Sequence, residues 1–587
     1  MSSSNKYYQD ELSFLREMGR EFAQAYPAAA PFLADRGSDP DVERLLEGFA
    51  FLTGRIRQKL DDEFPEMVHA MMNLLWPHYL RPIPSISMIE FIPIAGAVRE
   101  RQRIVRGVEL ASASVEGVQC RFRTSGEVDL YPFSLEEAAL LTLPDGRTAL
   151  RLRFKMNPGS RLSEIHLDRL RLHLFGEPAY SLYLWLCRYV AEVRFRDVVK
   201  GKAGHERILP AGQIEATGFS PEEALFPYPK NAFDGYRLLQ EYFTFPEKFL
   251  FVSLNGLAPV ARSTNGEEFE IDFVFSKAPM ASLRVSREHI RLYCTPAINL
   301  FPMESDPIRV THERVEYPIR PSGGNSVGYE AYSVERAVGW VRGTAAEEEY
   351  PPFFSFKHHL GHSGRKATYY QTRLRSAMVG DGTDLYVSFV DGEQTTVVPP
   401  TETVVFHLIC TNRDLAGKLR VGDIAIPTDR SPEFARFQNI TKVTPSIRPP
   451  IGGDLYWRLI SHLSLNYTSL SHIEAFRGIL ELYNYPSFYD RQAGRANERR
   501  LEGITELQSR GEDLLFRGTP VRGTTTTLSM KEDHFLGEGD MFLFASVLNE
   551  FLSLYVTLNS FSRLTIRGVQ KGEVYSWPPK IGRQAVL

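Results

Sequence analysis

The stretch "HLICTNRDLAG", His407 to Gly417, gathers a histidine, a cysteine, an asparagine and an aspartate within eight positions, with Thr411 and Arg413 among them. These are the residue types of a cysteine nucleophile, its general base and an orienting group. The strand pattern argues against that use. In "TVVFHLIC" successive side chains point to opposite faces, so Val404, Phe406, Leu408 and Cys410 share one face and Val405, His407 and Ile409 the other. His407 and Cys410 are an odd number of positions apart and cannot meet on a regular strand. Cys410 is expected on the apolar face, where a thiol is inert. "TNRD" is expected to cap backbone groups in a turn. Cys294 follows the same logic: Ile290, Leu292 and Cys294 form one strand face, which Thr295-Pro296 should end.

Other motifs fail on context. "GGNSVG" contains Gly324-Asn325-Ser326-Val327-Gly328, a literal GxSxG. A nucleophile elbow needs a buried strand before it and a helix after it, and the preceding "YPIRPS" is Pro-rich and polar. In "KHHLGH", His358, His359 and His362 could share a metal from one helix face. Gly361 and Gly364 disfavour that helix and no carboxylate sits nearby, so a surface loop is expected. "GDGTDL" (Gly380 to Leu385) lacks the remaining oxygen ligands of a calcium loop. No phosphate-binding glycine loop appears between a strand and a helix. "VRERQRIVR" places Arg99, Arg101 and Arg103 on one strand face with Arg106 just beyond. With a glutamate interleaved it reads as a solvated face or a salt-bridged protein contact, not a phosphate stripe. No catalytic, cofactor-binding or metal-ligating residue is therefore expected, and no cofactor.

The elements around these motifs suit a β-rich machine part. A net charge of −4 over 587 residues argues against a dedicated nucleic-acid binder. Aromatics at 12% favour β-rich cores and protein interfaces. The four cysteines, Cys120, Cys187, Cys294 and Cys410, are far apart, which reads as a reducing, cytoplasmic setting. The opening "MSSSNKYYQDELSF" shows no apolar signal core. The run Met541 to Phe561 is long enough to raise a membrane span. Its pattern predicts a half-buried helix instead: Val547, Leu548, Phe551, Leu554, Tyr555 and Leu558 on one face, Ser546, Asn549, Glu550, Ser553 and Thr557 on the other.

The first eighty or so residues read as three helices. Tyr8, Leu12, Leu15, Phe22 and Tyr26 line the first, and Asp39-Pro40 opens the second. Val42, Leu45, Phe49, Leu52 and Ile56 then follow at steps of three and four, a coiled-coil-like seam. The third runs from Pro65 to Trp76. Short strands take over after "RPIPS", with loops at "EEEYPPF" and "VVPPTE", and helix returns after Asp454. Ser471 and Glu474 stand in capping-box register there. In "LQEYFTFPEKF", Glu241 and Glu247 are polar exceptions that need buried backbone donors or Arg237 as partner. The expected fold class is α+β and multidomain: an N-terminal helical assembly region at 1–85, a β-rich domain at 86–320, a second at 321–450 and a C-terminal α+β domain at 451–587.

Longer strings resemble a known family. "YYQDELSFLREMGREFAQAYP", "DPDVERLLEGFAFLTGRI" and "LDDEFPEMVHAMMNLLWPHYLRPIPS" are similar to the opening of the type VI secretion baseplate subunits of the TssF family. "GYRLLQEYFTFPEKFLF", "CTPAINLF" and "CTNRDL" resemble its middle; "WRLISHLSLNYTSL", "VLNEFLSLYVTLNSF" and "SWPPKIG" resemble its end. The resemblance spans the chain in order. It implies a structural, non-enzymatic subunit akin to contractile-phage baseplate wedges, in which two copies associate with one TssG around the spike hub. It also implies TssK, TssE and VgrG as neighbours in the assembled baseplate, and a place in the cytoplasm near the inner membrane. Neither nucleic acid nor membrane insertion is expected. Leu12, Leu15, Val42, Leu45, Phe49, Leu52 and Ile56 are the candidate interface, for self-association or for TssG, with an intramolecular bundle as the other use of the seam. The alternative function is a cytosolic hydrolase using Cys410 or Ser326.

Overall fold

The computed structural model describes residues 76–199, 202–228, 233–264, 266–280, 283–311, 314–323, 328–340, 347–353, 368–376, 383–391, 403–448, 472–516 and 518–582, with 8–9, 11–19, 41, 43–55 and 72 nearer the start. Met1–Leu80 with Pro450–Ile460 form one compact unit, and Arg81–Pro449 with Ser461–Leu587 form the other.

In the smaller unit, residues 11–19 and 43–55 are helical, as the periodicity predicts. Leu12 is buried and Leu15 half-buried on the first of these helices; Ala50 and Gly54 are buried on the second. Arg16 reaches Glu43 at 3.1 Å and ties the two together. Val42, Ile56 and most of the third expected helix lie outside the described residues.

The larger unit is built from several sheets that the chain enters repeatedly. In the first, Ile86–Pro93 lies between Cys294–Ile298 and Ala435–Asn439, and Val118–Thr124 and Glu109–Val115 complete it. Ile86 stands opposite Ile298, and Phe91 opposite Phe437. The pairing thus runs across residue 320, and so does that of Phe301–Glu304 with Thr403–Thr411.

A second, five-stranded sheet shows what period-two alternation does when one face is apolar and the other ionic. Phe269 stacks with Phe154 at 4.8 Å and with Phe195 at 5.5 Å on the packed face. On the other, Asp272 bonds Arg151 at 2.8 Å and also Arg196, while Glu270 meets Arg153 at 2.8 Å. Each central carboxylate faces an arginine on both neighbouring strands, the cross-strand pairing that stabilises a polar sheet face.

The expected strand from Ile290 to Cys294 is broken. Ile290–Arg291 belongs to one sheet, and Cys294–Ile298 begins another after Tyr293, whose φ is +57°. The Tyr293 hydroxyl donates to the carbonyls of Tyr131 and Phe133 at 3.1 and 2.9 Å, holding that unusual backbone in place. Thr295-Pro296, expected to end a strand, instead lies inside one.

The C-terminal helix Glu538–Leu554 also corrects a prediction. Its polar positions Ser546 and Asn549 are buried along with its apolar ones. It packs on the helices Ala179–Arg188 and Asp234–Thr244 and on the strand Phe561–Gly568, so no face is left to solvent over most of its length. Ser546 satisfies itself by donating to the carbonyl of Phe542 at 2.8 Å, a bond that sequence periodicity does not reveal. Among the described residues no helix is long and apolar enough to cross a membrane. The helix Ile473–Leu482 starts from His472, with no side-chain cap; Ser471 lies outside the described residues.

The helix Glu538–Leu554 connects two parallel strands. Ile504–Phe516 and Thr519–Met530 form a hairpin with Gly518 at φ +83° in its turn. Thr524–Met530 then pairs in parallel with Ser562–Gly568, the connection that requires a crossover.

Candidate functional site

Cys410 lies on the strand Thr403–Thr411, fully buried in a core with Phe301, Phe406 and Leu408. His407, on the other face, stands opposite Glu304 and remains partly exposed, as the alternation predicts. Burial, with Glu330 adding to it, pushes the Cys410 thiol up to about 12. Cys187 is likewise pushed to about 12 and Cys294 well above its ordinary value, both by burial. At pH 8 this lowers the thiolate fraction at Cys410 by roughly three orders of magnitude relative to a free thiol. Quantitative labelling of the native chain should therefore leave Cys410 unmodified until it unfolds; rapid labelling would contradict this placement.

The rest of the motif forms a junction, not a catalytic group. Asn412 Oδ1 accepts from the Arg121 N–H at 3.1 Å and from Asn299 Nδ2 at 2.8 Å. Its N–H donates to Asn299 Oδ1 at 2.7 Å, and its Nδ2 donates to the Gly328 carbonyl at 3.3 Å. Arg413 takes a left-handed conformation, φ +50°, and its Nε donates to the Tyr329 carbonyl at 3.1 Å. The pair Asn299–Asn412 thus closes two sheets over a fully satisfied polar core. Asn412→Ala should cost about 2–3 kcal/mol, because it strands buried backbone and amide groups; the urea midpoint reads it.

Of the arginines expected on one strand face, only Arg103 lies on a strand, Gln102–Ile104, and Arg101, Arg103 and Arg106 find partners within the chain. Arg101 holds Asp129 with two bonds at 2.9 and 2.8 Å, and Arg103 lies 3.4 Å from both Asp129 and Glu127. Arg106 donates to the carbonyls of Glu222 and Ala224 at 3.1 and 2.7 Å. These residues line a cleft of about 1710 Å³ whose acids and bases largely pair with one another, Arg171 with Glu223 at 2.7 Å among them. Among the described residues no group of histidine, cysteine and carboxylate side chains could hold a metal ion. Ser326 and the histidines of "KHHLGH" lie outside the described residues.

A buried ionic cluster sits in the aromatic segment. Glu241 Oε1 accepts from the Leu225 N–H at 2.7 Å; Oε2 accepts from Arg237 Nη1 at 2.9 Å and from Lys248. Arg237 also grips Asp234 with two bonds at 2.7 and 2.9 Å. Both uses foreseen for Glu241 are realised at once. Lys248 was not foreseen, although it is the one base in "FPEKF". Burial lowers its ammonium to about 8 against the pull of Glu241. Burial also raises the Glu247 carboxyl above its ordinary value. The cluster joins a helix to the turn that follows it, with Arg237, Glu241 and Lys248 all buried.

What the described residues do expose is an apolar stripe. Leu45, Phe49 and Leu52 are 73%, 61% and 60% exposed on the helix at 43–55, while Ala50 and Gly54 face inward. The predicted seam therefore points away from its own unit. Phe14 and Met18 are exposed on the first helix, whereas Leu12 packs inside. Leu45, Phe49 and Leu52 stand at steps of four and three, on one face of that helix.

Residues 1–584 match the sequence family described as Type VI secretion system, TssF. The chain belongs to the TssF family. It is 33% identical over 624 aligned residues to the type VI secretion system component TssF1 of Pseudomonas aeruginosa, covering 99% of each chain. Among solved structures it is similar, at 33% identity and a TM-score of 0.77, to a chain of the type VI secretion system TssK-TssF-TssG baseplate subcomplex, covering 92% of this chain and 99% of that one. A chain of the baseplate complex from the type VI secretion system matches at 29% identity and a TM-score of 0.65, over 99% and 100%. TssF relatives of this kind are baseplate components, not enzymes, and the hydrolase alternative finds no support among them.

Proposed function

We propose that the chain is a structural subunit of a type VI secretion baseplate and joins TssG and TssK there. In this reading two copies associate with one TssG as a wedge beside the spike hub, with TssE and VgrG as further neighbours, in the cytoplasm near the inner membrane. The N-terminal region at 1–85 is the assembly region, and Leu45, Phe49 and Leu52 form its docking stripe. The observation that carries the stripe is its outward orientation: three large apolar side chains at helical spacing face away from the helix they would otherwise pack on.

The test is co-expression with the cognate TssG, read as complex mass by light scattering after size exclusion. The double variant Leu45→Asp with Phe49→Asp should keep its thermal midpoint, since both side chains are exposed, and lose at least ~100-fold in affinity. Burying a Leu and a Phe contributes about 1.5–3 kcal/mol each, enough for that loss. A variant that binds TssG as the parent does would remove the stripe from the interface.

A further inference from the structure

The strand Ile504–Phe516 is the longest among the described strands, 13 residues, and it is an edge: it pairs only with Thr519–Met530. Among the described residues no other backbone group bonds to positions 505–516. Exposed edges normally carry protection in the form of proline, charged side chains (lysine above all), shortness or a bulge. This one has neither proline nor lysine, its charges are of both signs (Glu506, Arg510, Glu512 and Asp513), and its single irregularity lies at the very start, between Ile504 and Glu506. Its far end carries Leu515, 76% exposed.

We propose that this edge pairs antiparallel with the same strand of a second copy, about a two-fold axis through Gly511, so that two sheets become one continuous sheet. A two-fold normal to a sheet leaves each face where it was, so only positions of equal parity can stand opposite each other. An axis at Gly511 sets Arg510 against Glu512 of the second copy, Ser509 against Asp513 and Leu507 against Leu515, each twice. Arg510 has no ion-pair partner among the described residues, and Glu512 is already oriented by Thr525 Oγ1 at 2.6 Å and Arg563 at 3.2 Å. The exposed Leu515 gains an apolar neighbour. An axis at Arg510 or Glu512 opposes like charges on the axis itself, and one at Ser509 opposes Glu506 to Glu512. An axis at Gln508 leaves Leu515 bare. Gly511 places no side chain on the axis, where two copies approach most closely.

The pairing is separate from the helical stripe, and the two can fail independently. Gly511→Cys in the full-length chain is the direct probe. A side chain fits there, the nearest atom being Arg522 Nη2 at 4.0 Å. Opposed Cα atoms in an antiparallel pair lie ~4.5–5.5 Å apart, within disulfide reach. Three native cysteines are buried and Cys187 is partly so, keeping the background low. Under copper-phenanthroline oxidation Gly511→Cys should become mostly covalent dimer on non-reducing gels. Ser509→Cys alone should not, because its two copies sit four positions out of register, about 13 Å. A mixture of Ser509→Cys and Asp513→Cys should cross-link. Leu515→Lys should lower the dimer fraction of the uncross-linked chain at least ten-fold in sedimentation equilibrium. A Gly511→Cys chain that stays monomeric, a Ser509→Cys chain that dimerises as readily, or a Leu515→Lys chain that dimerises as the parent does would each overturn the proposal. The stripe variant Leu45→Asp with Phe49→Asp should still cross-link through Cys at 511.

Discussion

Glu241→Ala should destabilise the larger unit by about 3–5 kcal/mol, because it leaves Lys248 and half of the Arg237 guanidinium charged, buried and unpaired. It also orphans the Leu225 N–H. Breaking one partner of a buried ion pair is much costlier than replacing the pair. Glu241→Leu combined with Lys248→Met should accordingly recover much of the loss, since Arg237 keeps its two bonds to Asp234. Urea midpoints of the single and double variants measure the difference, and equal midpoints would contradict it. The pH dependence has a defined sign. Lys248 already loses its proton near 8, well below its unfolded value. Between those two values the unfolded state holds more protons, so stability rises with pH. Without Glu241 the folded value drops further, and the single variant should gain more stability between pH 7 and 9 than the parent.

Gly539→Ala is the second large effect, and it works by geometry alone. The glycine lies near the start of the helix Glu538–Leu554, and a Cβ there would fall onto the carbonyl oxygen of Tyr180 in the neighbouring helix. Alanine in place of glycine favours a helix by up to ~1 kcal/mol. Forcing two helix backbones apart costs about 1–3 kcal/mol and spreads to the partners of the buried helix. Overpacking should win, with a net loss near ~2 kcal/mol. Trp185 on the neighbouring helix, and Trp577, which stacks on Phe542 at 5.1 Å, provide a fluorescence signal on both sides of the contact. Gly212→Ala is the internal control: its Cβ meets open space, and the midpoint should move by less than ~0.5 kcal/mol.

The sequence alone goes furthest where a local period governs. The alternation of "TVVFHLIC" places Cys410 inward and His407 outward, and steps of three and four place Leu45, Phe49 and Leu52 on one helical face. It fails where the decision is made by partners hundreds of residues away. Ser546 and Asn549 look like a wet face, yet two helices and a strand close over them. Tyr293 breaks a run whose alternation is unblemished, because its hydroxyl is tied to carbonyls at 131 and 133. Lys248 looks like a surface base in an aromatic segment, and only the fold shows Glu241 beside it. The apolar stripe is half legible: its members share a face, but nothing local says whether that face turns in or out.

The first strand of the larger unit carries a cost in time. Ile86–Pro93 has both of its sheet neighbours far downstream, at Cys294–Ile298 and Ala435–Asn439, and its first residue is fastened to Thr444, 358 positions away. At synthesis rates of roughly 5–20 residues per second, that last contact becomes available about 20–70 s after the strand leaves the ribosome. Until Cys294–Ile298 emerges "ISMIEFIP" is a bare apolar strand with two unpaired edges, and one of them stays open until Ala435–Asn439 follows. Nascent chains stalled before residue 435 should therefore hold chaperone at this segment and release it once "ARFQN" has emerged.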